Sequence, residues 1–116
     1  MYMDQFLSLL PLREPTFFIL LSLSPGPRHG YAISKAVESL SEGRVKLSTG
    51  TLYGAIKRLL DDGWICRAAD PMPNHTERQR KAYALTELGG RVLNAEVARL
   101  KKLVRAAQSQ TVEETS

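Results

Sequence analysis

A Pro-Gly-Pro turn at residues 25–27 cuts the first third of the chain into two segments that must fold as separate elements. Proline lacks a backbone N–H and disfavours the α region in the residue before it, so no regular helix runs through this turn. Ahead of it, Pro15 stands in the first turn of Thr16-Phe17-Phe18-Ile19-Leu20-Leu21-Ser22-Leu23, a segment apolar nearly all round. Such a helix needs cover on every side, which predicts the central core helix of the domain. Its purely apolar run, Phe17 to Leu21, falls far short of the roughly 20 residues needed to cross a bilayer, so no membrane association is expected. The shorter run Phe6, Leu7, Leu9 and Leu10 predicts an amphipathic arm packed on this helix or on a partner.

After the turn, Tyr31, Ile33, Ala36, Val37 and Leu40 recur at helical spacing and predict a second helix, closed by Ser41-Glu42-Gly43. Arg44 to Leu47 is a short link, and Ser48 is the expected N-cap of a third helix that Gly63 stops. Leu52, Ile56, Leu59 and Leu60 give that helix a core face. Thr49, Tyr53 and Lys57 lie elsewhere on it, beside Gly50, Thr51, Gly54 and Arg58.

From Trp64 to Ala68 the chain turns strand-like, 69–79 is a polar loop, and Arg80 to Leu85 alternates, which predicts a β-hairpin with a long basic tip. Thr86 caps a last helix, Glu87 to about Gln108, weakened in its first turn by Gly89 and Gly90. Its Leu93, Val97, Leu100, Val104 and Ala107 step by four, three, four and three, a coiled-coil-like seam. The seam can fold back on its own domain or pair across a two-fold axis, and pairing is the favoured reading. Phe6, Leu9 and Leu10 of the arm are expected to add to that interface.

The order of these elements predicts a mainly α fold with a small antiparallel β-hairpin: a winged helix-turn-helix over residues 1–86, a dimerisation helix over 87–108 and a flexible tail over 109–116. In that architecture the third helix enters the major groove of double-stranded DNA, and its solvent face has to be small, polar or cationic. Charge supports this reading. The net charge is +4, and residues 44–81 alone carry that excess, with Arg44, Lys46, Lys57, Arg58, Arg67, Arg78, Arg80 and Lys81 against four acids. A local basic field on a small domain points to a polyanion. Arg78, Arg80 and Lys81 on the wing are expected to meet phosphates or the minor groove.

Catalysis is not expected. Asp61 and Asp62 are adjacent and point about 100° apart on a helix, Cys66 has no base near it in sequence, and no phosphate-binding glycine loop occurs. One cysteine with His29 and His75 cannot fill a four-ligand structural zinc site, so no metal or cofactor is expected either. With no basic stretch ahead of the N-terminal apolar residues and no disulfide available, a reduced, cytoplasmic protein is expected. The competing function is a winged-helix module that binds proteins.

Gly-Pro-Arg-His-Gly-Tyr (26–31) and Ser-Thr-Gly-Thr-Leu-Tyr (48–53) resemble the PadR-like transcriptional regulators. The likeness continues through Ala55-Ile56-Lys57-Arg58-Leu59, Asp62-Gly63-Trp64-Ile65 and Tyr83-Ala84-Leu85-Thr86-Glu87-Leu88-Gly89, covering roughly residues 14–90. Gly54 stands where members commonly carry proline. The resemblance implies a dimeric repressor on a pseudo-palindromic operator, released by a small aromatic or hydrophobic effector, and the single last helix resembles the short subfamily. It makes Tyr31, Ser48, Thr49, Thr51 and Tyr53 phosphate and groove contacts, with Lys57 and Arg58 as the cations of that helix. Plainer roles stand beside these: Tyr31 as core, Ser48 as a cap only, Arg58 paired with Asp61 or Asp62, His29 bonded within its turn. Trp64 is expected in core or hinge packing and Cys66 as a small buried apolar residue.

Overall fold

The computed structural model describes residues 6, 8–69 and 81–110. The segment with Pro15 in its first turn forms α1, Glu14–Ser22, and ends ahead of the Pro-Gly-Pro turn. Ile19 and Leu20 are wholly buried, and Phe17, Phe18 and Leu21 pack around the same core. The buried Ser22 satisfies its hydroxyl by donating to the Ile19 carbonyl at 2.7 Å, within its own helix.

Beyond the turn, Arg28–His29 form β1 and α2 follows at once over Gly30–Leu40. The buried stripe of α2 is Ile33 and Val37. Tyr31, assigned by spacing to this face, lies about 200° round the axis from Ile33 and is 69% exposed, so it is no core residue. Leu40 in the last turn is 45% exposed. The helix closes as its residues imply, with Glu42 and Gly43 at positive φ and the Gly43 N–H on the Glu38 carbonyl at 2.8 Å. The buried Ser41 hydroxyl accepts from the Val45 N–H at 2.9 Å and fixes the link to the next helix.

Helix α3, Thr49–Asp61, buries Leu52, Ile56 and Leu59. Gly63, at φ 78°, ends it: the Gly63 N–H reaches the Leu60 carbonyl and the Trp64 N–H the Leu59 carbonyl, each at 3.0 Å. Because that cap engages the Trp64 N–H, β2 begins one residue later than expected, at Ile65, and runs to Ala68. It pairs with β3, Ala82–Leu85, in antiparallel register, Ile65 opposite Leu85 and Arg67 opposite Tyr83.

The expected two-stranded hairpin is in fact part of a three-stranded sheet, order β1-β3-β2, because Arg28 and His29 pair with Tyr83 and Ala82. Cys66 corrects a second expectation. It stands opposite Ala84, one step out of phase with the buried Ile65 and Tyr83, and it is exposed. Trp64 packs partly buried against the core, as expected.

The last helix, α4, spans Glu87–Gln110, two residues past the expected end. The Thr86 hydroxyl caps it, accepting the Gly89 N–H at 3.0 Å while donating to the Gly63 carbonyl at 2.6 Å. Gly89 is a packing requirement: a Cβ there would overlap the Trp64 carbonyl oxygen and stand 2.8 Å from its carbon. Gly89, Val92, Leu93, Ala95 and Glu96 form the buried stripe of α4, whereas 101–110 are exposed throughout.

The arm packs on α4 of its own chain, with Phe6 buried against Val92 and Ala95. Glu96 holds the junction. Its buried carboxylate accepts the Leu12 N–H at 2.9 Å and two bonds from Arg99, at 2.6 and 3.0 Å. The Arg99 bonds hold this carboxyl below the usual carboxylate range, aided by the Leu12 N–H and opposed by burial.

Candidate nucleic-acid interface

At 100° per residue, Gly50, Gly54 and Lys57 occupy the middle of the α3 face opposite Leu52, Ile56 and Leu59. A Cβ built at Gly50 or Gly54 meets no atom within 4 Å, so nothing in the described chain covers this face. The Ser48 hydroxyl accepts the Thr51 N–H at 3.2 Å and donates to the Thr51 hydroxyl at 3.0 Å. Ser48 is thus a cap, and it orients an exposed helix start at which the Thr49 and Gly50 N–H groups have no intrahelical partner. Lys57 points outward with its ammonium 3.3 Å from Asp61. A surface i,i+4 pair stabilises by only a few tenths of a kcal/mol, so a phosphate can displace the carboxylate.

The two flanks of this face are fixed by neighbouring helices. Tyr53 lies against the start of α2, where a Cβ on Gly30 would overlap its hydroxyl and stand 2.8 Å from its Cζ. Glycine at 30 is what lets this ring lie there. On the other flank Arg58 donates to the Thr16 hydroxyl of α1 at 3.2 Å. The pairing considered for Arg58 falls to Lys57 instead, and Arg58 stands off the row of Tyr53 and Lys57 because it is 100° further round the helix. Tyr31 is exposed at the start of α2, with the Lys35 ammonium 5.7 Å from its ring centroid.

Lys46 in the α2–α3 link and Lys81 before β3 are exposed. Arg78, Arg80 and His75 lie outside the described residues. Two cations were not assigned to the site from the sequence: Lys35, and Arg67, which was counted only in the basic segment. Lys35 looked like an ordinary polar-face lysine. Arg67 is brought by the β2–β3 register directly opposite Tyr83, and the buried Tyr83 senses both Arg67 and Tyr53. Burial pushes its phenol up, Tyr53 adds to this and Arg67 opposes it. The strand alternation held the signal for Arg67, since residues 65, 67, 83 and 85 share a face.

The seam residues divide. Phe6 and Leu93 are buried in their own chain, Leu10, Val97 and Leu100 are half-buried, and Leu9 and Ala107 are exposed. Val104 is 53% exposed, beside Leu103 at 55%, a residue the seam pattern did not include. Among the described residues no group of three His, Cys, Asp or Glu could hold a metal, and no helix is long and apolar enough to cross a membrane.

Known proteins share this fold. The model of the transcriptional regulator PadR-like family matches residues 19–95. An uncharacterized 37.1 kDa protein in transposon TN4556 of Streptomyces fradiae is 34% identical over 93 residues, which cover 72% of this chain and 26% of that protein. The chain thus spans about a quarter of the length of that relative. A PadR-like transcription factor from Bacteroides fragilis superposes with a TM-score of 0.65 at 26% identity, covering 81% of this chain and 86% of that one. Bacillus subtilis PadR, solved in complex with operator DNA, superposes with a TM-score of 0.60 at 26% identity over 71% of this chain and 45% of its own. Since the family match runs unbroken from the core helix through α3 and the sheet into the buried half of α4, the chain belongs to the PadR-like family of transcriptional regulators.

Proposed function

We propose that this regulator is a cytoplasmic homodimeric repressor that sets α3 of each copy into the major groove of a pseudo-palindromic operator. The observation that carries the reading is the uncovered face of α3, where Gly50 and Gly54 leave the backbone open beside Lys57. Glycines there let the helix approach the duplex closely, and the capped helix start presents N–H groups to a phosphate. Ser48, Thr49, Thr51 and Tyr53 read the groove edge and backbone, with Tyr31 and Lys46 on flanking phosphates. Lys81, Arg78 and Arg80 extend the contact from the wing. Arg58 acts by holding α3 against α1 through Thr16. The B. subtilis relative, a PadR bound to operator DNA, supports this use of the fold.

Dimerisation assigns a purpose to the second half of α4, whose Leu103 and Val104 stand exposed. A two-fold pair would present two α3 helices to half-sites about 34 Å apart. A small hydrophobic effector would release the operator by changing that separation.

The test is binding to duplex DNA from the protein's own promoter region beside an unrelated duplex, from about 50 to 200 mM salt. Preference for the promoter duplex, with a steep negative slope of log affinity against log salt, is the expected result. Equal, weak binding to both duplexes would overturn it.

A further inference from the structure

A groove of about 660 Å³ runs between the end of α1 and the outer face of α2, with no residue of α4 in its lining. Its apolar wall comes from Leu21, Pro25, Ala32, Ala36 and Leu40. Its charged lining is Arg28 and Lys35, with no acidic residue. The Arg28 Nε donates to the Ser22 carbonyl at 2.6 Å, which fixes that side chain and leaves its terminal nitrogens unpaired with any carboxylate among the described residues. Lys35 has no carboxylate partner there either; it sits over the Tyr31 ring, which also lines the groove.

The charge is polarised along the groove. Arg28 in β1, just ahead of α2, Tyr31 in its first turn and the Lys35 ammonium over the Tyr31 ring stand toward the start of α2, where the helix dipole also favours an anion, and Ala36 and Leu40 lie in its second half. From Tyr31 to Leu40 the helix advances about 13 Å at 1.5 Å per residue, the length of an acyl chain of about ten carbons. A surface that is apolar at one end and cationic at the other fits a molecule with a carboxylate head and an aliphatic tail.

We propose that this groove binds a monomeric medium-chain acyl carboxylate, its head between Arg28 and Lys35 and its tail along Ala32, Ala36 and Leu40. The ligand covers Tyr31, so its binding and that of duplex DNA are mutually exclusive. This last consequence rests on the DNA reading above, and the site itself does not.

Calorimetric titration of the full chain, without DNA, with sodium decanoate below its micellisation range tests the site. Decanol supplies the tail without the charge and acetate the head without the tail. Decanoate is expected to bind once per chain and about tenfold or more tighter than either control. Lys35→Glu, at an exposed position, should weaken it about fivefold or more, and Ala36→Trp, which fills the groove, should abolish it. Both variants should keep the wild-type thermal midpoint. Acetate binding as well as decanoate, or decanoate binding both variants as it binds the wild type, would overturn the proposal. Saturating decanoate should also lower the affinity for any duplex, and unchanged duplex affinity would overturn the exclusion of DNA.

Discussion

Two neighbouring glycines, Gly89 and Gly90, should respond to alanine with opposite sign. In the first turn of α4 both look like the same weakness, each costing helix stability of about 0.5–1 kcal/mol relative to alanine. At Gly90 a Cβ meets nothing within 4 Å, so Gly90→Ala should stabilise the chain by that amount. At Gly89 the Cβ would overlap the Trp64 carbonyl oxygen, stand 2.8 Å from its carbon and 3.1 Å from its Cα. These are backbone atoms and cannot rotate aside, so α4 would have to retreat by about an ångström, overpacking of a kind that costs about 1–3 kcal/mol. The retreat also strains the bond from the Thr86 N–H to that same carbonyl, at 3.1 Å, and the Thr86 bond to Gly63. Such bonds contribute about 1 kcal/mol each. Set against the propensity gain, Gly89→Ala should destabilise by about 2 kcal/mol, leaving the two variants about 3 kcal/mol apart. Urea denaturation of the full chain, followed by circular dichroism at one fixed protein concentration, measures both. Two variants within about 0.5 kcal/mol of each other would refute the reasoning, because only the contact with Trp64 separates them.

Three further outcomes follow from the geometry. Glu96→Gln should destabilise by about 1–3 kcal/mol, since it removes the charge from buried bonds to Arg99 and Leu12. The folded pKa of Glu96 is depressed, so its contribution is present above the ordinary glutamate range and is lost as pH falls through the folded value; the variant should therefore show a shallower acid limb in stability against pH, and an unchanged limb would count against this role. Lys57→Ala should weaken operator and unrelated duplex alike and reduce the salt slope by about 0.9 per half-site, whereas a change confined to one base position would mark it as a base contact. Leu103→Asp with Val104→Asp should leave the unfolding midpoint of a dilute sample nearly unchanged while light scattering reports a monomer; a persistent dimer would place the interface elsewhere.

Local signals were legible because each depends on a few neighbouring residues. Pro15 and the Pro-Gly-Pro turn bounded α1, Ser48 and Gly63 bounded α3, and Thr86 capped α4, each through backbone groups within five residues. What escaped depends on partners far away in sequence. Strand β1 is two residues long, too short for alternation to appear, and exists because Tyr83 and Ala82 lie beside it. Gly89 looked like a weak point of α4, yet its lack of a Cβ answers to Trp64, as that of Gly30 answers to Tyr53. Lys57 and Arg58 are adjacent cations with carboxylates within reach of both, and only the position of Thr16 on α1 decides which takes which partner.

The seam of α4 shows the same limit. A repeat of threes and fours says that one helix face must be covered, and it does not say by what. Here Leu93 is covered by the core of its own chain, with Val97 partly so, and Phe6 of the arm is already engaged with Val92 and Ala95. These residues cannot also form the centre of an interface without first leaving the core. Under the dimeric reading the contact therefore shifts outward along the helix, to Leu100, Leu103, Val104 and Ala107, about two turns of helix. So short a seam is weak in isolation, which makes the rigid seating of α4, through Phe6, Glu96 and the close approach at Gly89, the condition under which two copies could hold their α3 helices at a fixed separation.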